Sequence, residues 1–292
     1  MADQVNQGAL SQLCMDSALP FDTSSIPFEF ASSTLKSIEE FAHTDGVRGD
    51  IQQYVTRQKL VRHTAGGQVS MNFTATELDW LIPYILGGTT AGGVTEIDSD
   101  IPLFYICEDK IDDVYTFSNC AIVSTTLSGT SGQPLTLTLS IEAEKEDTTS
   151  TAAFPSLTYD TGDLFVMSDC VLTIDGTARV FNSFTLTIDR VADAARWNNS
   201  LYRTKFPSHN TIVGLDVSMP AGGNTDLLGG GVTGFDGTFA FGDGSNTYTV
   251  STGKIVIPPV TPELPGKSEI MLPLSMGLFA SGATKQITIT KT

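Results

Sequence analysis

The residues in this chain that are best suited to chemistry are acids, gathered in one run between residues 98 and 113. Closely spaced carboxylates can bind a divalent cation or act as a general acid and base. The run consists of Asp98, Asp100, Glu108, Asp109, Asp112 and Asp113. Nothing in the spacing fixes a geometry for either role, so we interpret it as a solvated acidic rim.

Histidines and short motifs also give no catalytic or metal site. The chain has three histidines, His43, His63 and His209, and we expect solvated loop residues. The segment 243–246, DGSN, begins like a calcium loop but lacks the later glutamate, so it predicts a hairpin turn. Motifs for a nucleophile elbow, a zinc-protease helix and a phosphate loop are absent. The sequence therefore predicts no catalytic residue, no metal, no cofactor and no enzyme.

A basic stretch occurs twice, as TRQKLVRHT at 56–64 and YRTKFPSHN at 202–210. In both, an arginine, a lysine, an apolar residue and a histidine keep the same spacing. A longer match lies further on, where YTFSNCAIV at 115–123 and YTVSTGKIV at 248–256 agree at five of nine positions. Because the matches follow in the same order, we predict that the chain contains two copies of one β unit.

The elements around these stretches are almost all strands, because apolar residues alternate with polar ones. One helix is predicted from the Thr74 and Glu77 capping box, the helical spacing of the apolar residues that follow, and a stop at Gly87. Pro83 lies inside this helix and is expected to kink it or tighten its last turns. The segment 224–229 looks like the same helix cut to a turn.

The predicted fold class is therefore mainly β, with two tandem β-sandwich or β-barrel units, each with a flanking helix or helical turn. We place an N-terminal arm at 1–23, with a weak helix around 9–15, and the first unit at 24–147. A linker at 148–167 then leads to the second unit at 168–292. Two long connections, 43–66 and 189–210, occur at corresponding places, which indicates a shared working part.

Charge and cysteine content narrow the function further. The 292 residues carry a net charge of −17, with most of the excess acid in the first 150. Such a chain is a poor candidate for binding DNA through the DNA phosphates. Four cysteines without a C-x-x-C pair predict separate thiols in a reducing compartment. No signal peptide or long apolar segment is recognisable, so export and membrane spanning are not expected.

The long connections hold the main concentration of basic residues in an acidic chain. Basic side chains on a loop could dock on the acidic surface of an identical neighbour, where opposite charges set orientation and contact rate. The candidate contact residues are Arg48, Arg57, Lys59 and Arg62 in the first connection and Arg196, Arg203 and Lys205 in the second.

Four motifs in the first quarter of the chain carry a family resemblance. They are FEF at 28–30, D-G-x-R-G at 45–49, G-x-V-x-M-x-F at 67–73 and T-x-x-E-L-x-x-L-x-P-x-I-L-G at 74–87. In this order they resemble the N-terminal part of tail tube proteins from long, non-contractile bacteriophage tails. The resemblance implies a β-sandwich with a flanking helix, sheets of neighbouring subunits joined into an inner barrel, and rings stacked by the long loop. DNA would pass down the lumen without specific binding.

Many tail tube proteins carry one such unit and form six-membered rings, whereas this chain carries two. The resemblance then implies a homotrimer with a pseudo-sixfold ring, assembled in the bacterial host cytoplasm and located in the virion tail. Tape measure and tail terminator proteins would be its other partners. Acidic residues would line the lumen, and Glu142 and Glu144 are the candidates.

Two other classes of function stay open from the sequence alone. A surface adhesin or carbohydrate-binding β module would suit a doubled sandwich. A β-fold hydrolase is disfavoured, because no triad or recognisable acid pair occurs.

Overall fold

A computed structural model describes residues 11–43, 57–110, 113–148, 153–193, 196–203, 205–229, 234–262 and 268–292. They form one helix, α1 (Ala75–Leu86), and two β-sheets of 13 and six strands. The strands are β1 (Gln12–Asp16), β2 (Ile26–Pro27), β3 (Phe30–Ser33), β4 (Lys36–Ala42), β5 (Lys59–Met71), β6 (Val94–Glu96), β7 (Phe104–Asp109), β8 (Val114–Thr130), β9 (Thr136–Ala143), β10 (Lys145–Thr148), β11 (Val171–Ile174), β12 (Thr177–Arg179), β13 (Ser183–Asp189), β14 (Ile212–Pro220), β15 (Gly237–Gly242), β16 (Thr247–Ser251), β17 (Lys254–Val256), β18 (Met271–Phe279) and β19 (Thr288–Lys291).

The larger sheet contains one row of strands that runs through both halves of the chain. Its order is β4-β5-β9-β8-β13-β14-β18-β17. The first four strands come from the first half and the last four from the second half. The two groups have the same strand order. Strand β13 corresponds to β4 and β14 to β5, and the hairpin β17–β18 corresponds to β8–β9.

The strands packed behind this row also repeat their order. In the first half they are β2-β1-β7-β8-β10, and in the second half β12-β11-β15-β16-β19, with β6 of the first half added at the end. Strand β8 belongs to both layers, because its first part pairs with β7 and its later part with β9 and β13. In the second half two strands take its place. Strand β16 pairs in the layer behind the row and β17 pairs in the row, with Gly253 between them.

The YTFSNCAIV and YTVSTGKIV segments are the places where the chain crosses between layers. In the second crossing, a Cβ atom on Gly253 would lie 2.5 Å from the Ser281 nitrogen, so only glycine fits there. In the first crossing, Asn119 takes a positive φ of 50°. The sequence match therefore marks two bends with the same position in the strand order.

One apolar core extends through both halves. Phe165 lies within the predicted linker 148–167, yet it is buried and stacks on Phe73 with ring centroids 4.9 Å apart. Its edge also contacts Phe241 and Tyr248 of the second half, each at 5.6 Å. This part of the linker therefore belongs to the core, and the predicted domain boundaries remain predictions.

The predicted helix is confirmed, with both ends where the sequence places them. The Thr74 nitrogen donates to Oε2 of Glu77 at 2.8 Å, and the Gly87 nitrogen donates to the Pro83 oxygen at 2.8 Å. Gly87 has a φ of +82°, which favours glycine at a helix end. The shortened counterpart is the 3-10 turn Thr225–Leu227. None of the described helices is both long and apolar enough to span a membrane.

Two local expectations differ from the structure. The weak helix around 9–15 is wrong where the chain is described, because Gln12–Asp16 forms β1 between β7 and β2. Its Leu13, Cys14 and Met15 are fully buried, so this part of the predicted arm is core. The connection predicted at 43–66 is also shorter, because β5 already begins at Lys59.

Candidate assembly interface

Among the described residues, the row of strands in the larger sheet ends at β4, which is open, and at β17, which is partly covered. Strand β4 pairs only with β5, and its Ile38 and Phe41 are 52% and 53% exposed. Val61 on the adjacent strand is exposed too. An unpaired strand with exposed apolar side chains is suited to pairing with another chain.

The opposite edge, β17, is partly protected. It pairs with β18, and Ile255 exchanges both main-chain hydrogen bonds with Phe235 on its other side, at 2.7 and 2.8 Å. The following residues include Pro258 and Pro259, which have no N–H to donate. A partner strand can therefore form only an incomplete ladder here.

A complete junction between the two halves exists inside the chain. Strand β13 pairs antiparallel with β8, from Ser183 opposite Thr130 to Asp189 opposite Ser124. The Arg190 nitrogen extends the contact by donating to the Val123 oxygen at 2.8 Å. Strand β13, the first strand that the second half contributes to the row, thus completes the open side of the first half.

The second long connection packs on the first half as well. The ring of Trp197 lies beneath two guanidinium groups, with the Arg62 carbon 4.7 Å and the Arg203 carbon 5.4 Å from its centroid. The His63 nitrogen donates to the Leu201 oxygen at 2.9 Å. The two basic stretches, distant in sequence, are therefore in contact.

The seven predicted contact residues have different surroundings. Arg203 is buried and forms an ion pair with Glu142, so it is already engaged within the chain. Arg48 lies outside the described residues. The other five are exposed: Arg57, Lys59, Arg62, Arg196 and Lys205. Arg62 also forms a solvent-exposed pair with Glu40 at 3.7 Å.

Both candidate lumen acids have partners within the chain. Glu142 lies on the outward face of β9, where Arg203 offsets its charge. Glu144 follows β9 and accepts a hydrogen bond from Nδ2 of Asn119. The structure gives neither residue a free carboxylate.

The outward face of the row is lined mainly by hydroxyl groups, which sequence reasoning missed although the alternation with leucine and isoleucine was visible. Lysine and arginine are absent from the outward positions of β9, β13, β14, β18 and the later part of β8. The polar side chains on this face include Ser124, Thr126, Ser128, Thr136, Thr138, Ser140, Ser183, Thr185, Thr187, Asp189, Asp216, Ser218 and Ser275.

Asp112 lies outside the described residues, and the other acids first considered for chemistry are not assembled into a site. No group of three metal-ligating side chains occurs in the described part of the chain. Glu108 is buried and pairs with Lys110 at 3.2 Å. His63 is buried against Tyr202, so solvation was the wrong expectation there, whereas His209 is exposed.

The hairpin turn predicted at 243–246 is confirmed. The nitrogens of Ser245 and Asn246 donate to Oδ1 of Asp243 at 2.8 and 2.6 Å, and the Asp243 nitrogen donates to the Asn246 oxygen. The carboxylate is thus occupied by the turn itself, which connects β15 to β16.

Comparison with known proteins agrees with this architecture. A family model described as phage tail tube protein matches residues 25–277, which include most of both halves. No curated protein sequence matches the chain. The match spans well over half of the chain, and two β-sheets with one helix fit the fold expected from the resemblance. The chain belongs to the phage tail tube protein family and is a structural component of the virion tail.

Proposed function

We propose that copies of this chain join through their open sheet edges into closed rings, which stack into the tube that delivers phage DNA. The observation that carries the proposal is the repeated strand order, β4-β5-β9-β8 followed by β13-β14-β18-β17. Strand β13 completes β8 inside the chain. By the same rule, β4 of a neighbouring copy completes the β17 edge.

Such a contact joins two different surfaces, one from each copy. Head-to-tail contacts of this kind form rings when the rotation between copies closes. Each chain supplies two units of four strands, so three chains supply six units. The number three comes from the six-membered rings that the family resemblance implies.

The contact between chains would be weaker than the junction within one chain. Pro258 and Pro259 remove main-chain donors near β17, so more of the affinity must come from side chains. Full burial of a residue such as Ile38 or Phe41 contributes about 1.5–3 kcal/mol. A proline-rich edge also keeps single chains from pairing indiscriminately before assembly.

The hydroxyl-lined face would become the inner wall of the ring. Hydroxyl groups carry no charge, and Asp189 and Asp216 on the same face are acidic. Exposed charges act over a screening length of about 10 Å at 0.1 M salt. Along β9, β13, β14, β18 and the later part of β8 this wall carries no lysine or arginine that would retain a passing phosphate, so DNA slides there without specific binding.

The exposed basic residues would serve contacts between neighbouring copies. Arg57, Lys59 and Arg196 are exposed in a strongly acidic chain, so opposite charges can orient one copy on the next. Within the chain, the second connection already packs on the first half through Trp197. The corresponding contact between copies would involve the first connection of one chain and the second half of another. Assembly takes place in the host cytoplasm, with tape measure and terminator proteins as further partners.

Electron microscopy of the concentrated protein tests this function. Rings or tubes with a central channel are the expected result. Monodisperse single chains that bind a sugar on a glycan array would instead favour an adhesin or carbohydrate-binding module.

A further inference from the structure

Two cysteines lie directly opposite each other on neighbouring strands. In the antiparallel pairing of β1 with β7, Cys14 is the partner of Cys107. Residues directly opposite in such a pair have Cα atoms about 4.5 or 5.5 Å apart, and disulfides need about 4.4–6.8 Å. The backbone therefore already has the separation that a disulfide requires.

Both thiols are buried on the side of the strands that faces away from the main core. Cys14 is fully buried and Cys107 nearly so, whereas their neighbours Leu13, Met15 and Ile106 belong to the apolar core cluster. Both cysteines are free. The remaining two, Cys120 and Cys170, lack a cysteine opposite them in the described pairings.

The two thiols also influence each other. A hydrogen bond between them raises the pKa of Cys14, with burial acting in the same direction, and lowers the pKa of Cys107. The thiolate thus forms more readily at Cys107, with Cys14 as its donor.

We propose that Cys14 and Cys107 form a redox-sensitive pair, reduced in the host and closed to a disulfide by a small-molecule disulfide oxidant. The Cys107 thiolate attacks one sulfur of the oxidant and expels the other as a thiolate, which takes up a proton. The Cys14 thiol then gives up its proton and attacks the Cys107 sulfur, releasing the second small thiol. Two protein thiols lose two electrons and two protons, which the oxidant gains.

The bond would secure the N-terminal strand. Strand β1 has five residues, and besides β7 its one strand partner in the described part of the chain is the two-residue β2. A link between residues 14 and 107 closes a long loop, for which the stabilising effect of a disulfide is large. The protein would thus gain stability after it leaves a reducing compartment.

The test uses the folded full-length chain, first fully reduced and then incubated with glutathione disulfide. Remaining thiols are alkylated after acid quenching and unfolding, and the peptides are mapped by mass spectrometry. The expected result is a Cys14–Cys107 linked peptide with Cys120 and Cys170 alkylated. The melting temperature should rise by about 5 °C or more and return on reduction.

Variants separate a specific bond from general oxidation. Cys14→Ser and Cys107→Ser should each abolish the link and the temperature shift, and Cys170→Ser should keep both. Circular dichroism checks that each variant is folded, and Cys14→Ala replaces Cys14→Ser if the latter does not fold. Four alkylated cysteines in oxidant-treated folded protein, a link that forms only in urea, or a persistent glutathione adduct on Cys107 would each overturn the proposal.

Discussion

Arg190 is tied to the C-terminus of helix α1, more than 100 positions earlier in the chain, by a hydrogen bond of 2.6 Å from its Nη1 to the Leu86 oxygen. Its Nη2 donates to the main-chain oxygens of Asp98 and Asp100 at 2.6 and 2.8 Å. The side chain is 1% exposed, and burial lowers its pKa. A cation placed at the negative end of a helix also interacts favourably with the helix dipole.

We therefore predict that Arg190→Met lowers the free energy of unfolding by about 2–4 kcal/mol, because one buried and two partly buried main-chain carbonyl oxygens lose their donor. The free energy of unfolding of Arg190→Lys should lie between those of the wild type and Arg190→Met, since an ammonium group keeps the charge but cannot reach all three oxygens. Urea unfolding measures both. Arg57→Met, at an exposed arginine, is the control and should change stability by less than about 1 kcal/mol. Equal effects at both positions would refute the assigned role.

A second link between the halves gives a pH-dependent prediction. The Tyr248 hydroxyl lies 2.7 Å from Oδ1 of Asp79 on the helix, and burial, followed by this hydrogen bond, raises the pKa of Tyr248. The folded chain therefore holds the phenolic proton above the ordinary tyrosine pKa of about 10, and unfolding there releases it. Stability from this group is fully present below about pH 10 and is lost as pH rises further.

Tyr248→Phe should thus cost about 1 kcal/mol at pH 7 and a smaller amount above pH 10. Burial also raises the pKa of Tyr84, so the informative quantity is the difference between wild type and variant across pH. Urea unfolding at several pH values measures that difference. If it is constant from pH 7 to 11, the tyrosine does not titrate as described.

The contact between the two connections predicts that loss of Arg203 loosens the segment 197–202. Arg203→Met should lower stability by about 1–3 kcal/mol, because Glu142 loses its partner and Trp197 loses one of its two guanidinium neighbours. Chymotrypsin should then cut the segment 197–202 faster. Lys205→Met, at an exposed position two residues on, is the matched control. Similar cleavage of both variants would contradict the packing of this segment.

Much of the fold follows from sequence periodicity, and the exceptions have physical causes. The helix was predictable because its cap, stripe and stop are all local signals. The crossing strands 115–123 and 248–256 were visible as a match because both must bend. Strand β1 was missed because five residues without turn signals gain their stability from partners at β7, about 90 positions away.

The candidate interface was only partly predictable for the same reason. Positive charge singled out the two connections in the sequence, but whether an arginine is exposed depends on its tertiary neighbours. Arg203 turned inward to Glu142, and Trp197 gave no sequence signal of its contact with Arg62. The open edge at β4 became apparent only from the order of strands.

The open edge gives the main assembly prediction. Phe41→Asp should leave a folded chain, since an exposed change alters stability little. It should raise the concentration needed for ring formation about tenfold to a hundredfold, through the loss of apolar burial. Val180→Asp is the control, because Val180 is 73% exposed but lies between β12 and β13 and belongs to neither β4 nor β17. Light scattering against protein concentration measures the shift, and equal loss in both variants would show a nonspecific effect.

Native mass spectrometry of the smallest closed particle tests the central claim most directly. Two sheet units per chain and six per ring predict a mass three times the 31.1 kDa of one chain, with stacked rings as multiples of it. If the smallest closed particle holds six chains and no three-chain particle occurs, or if the chain stays monomeric at every concentration, the account is contradicted.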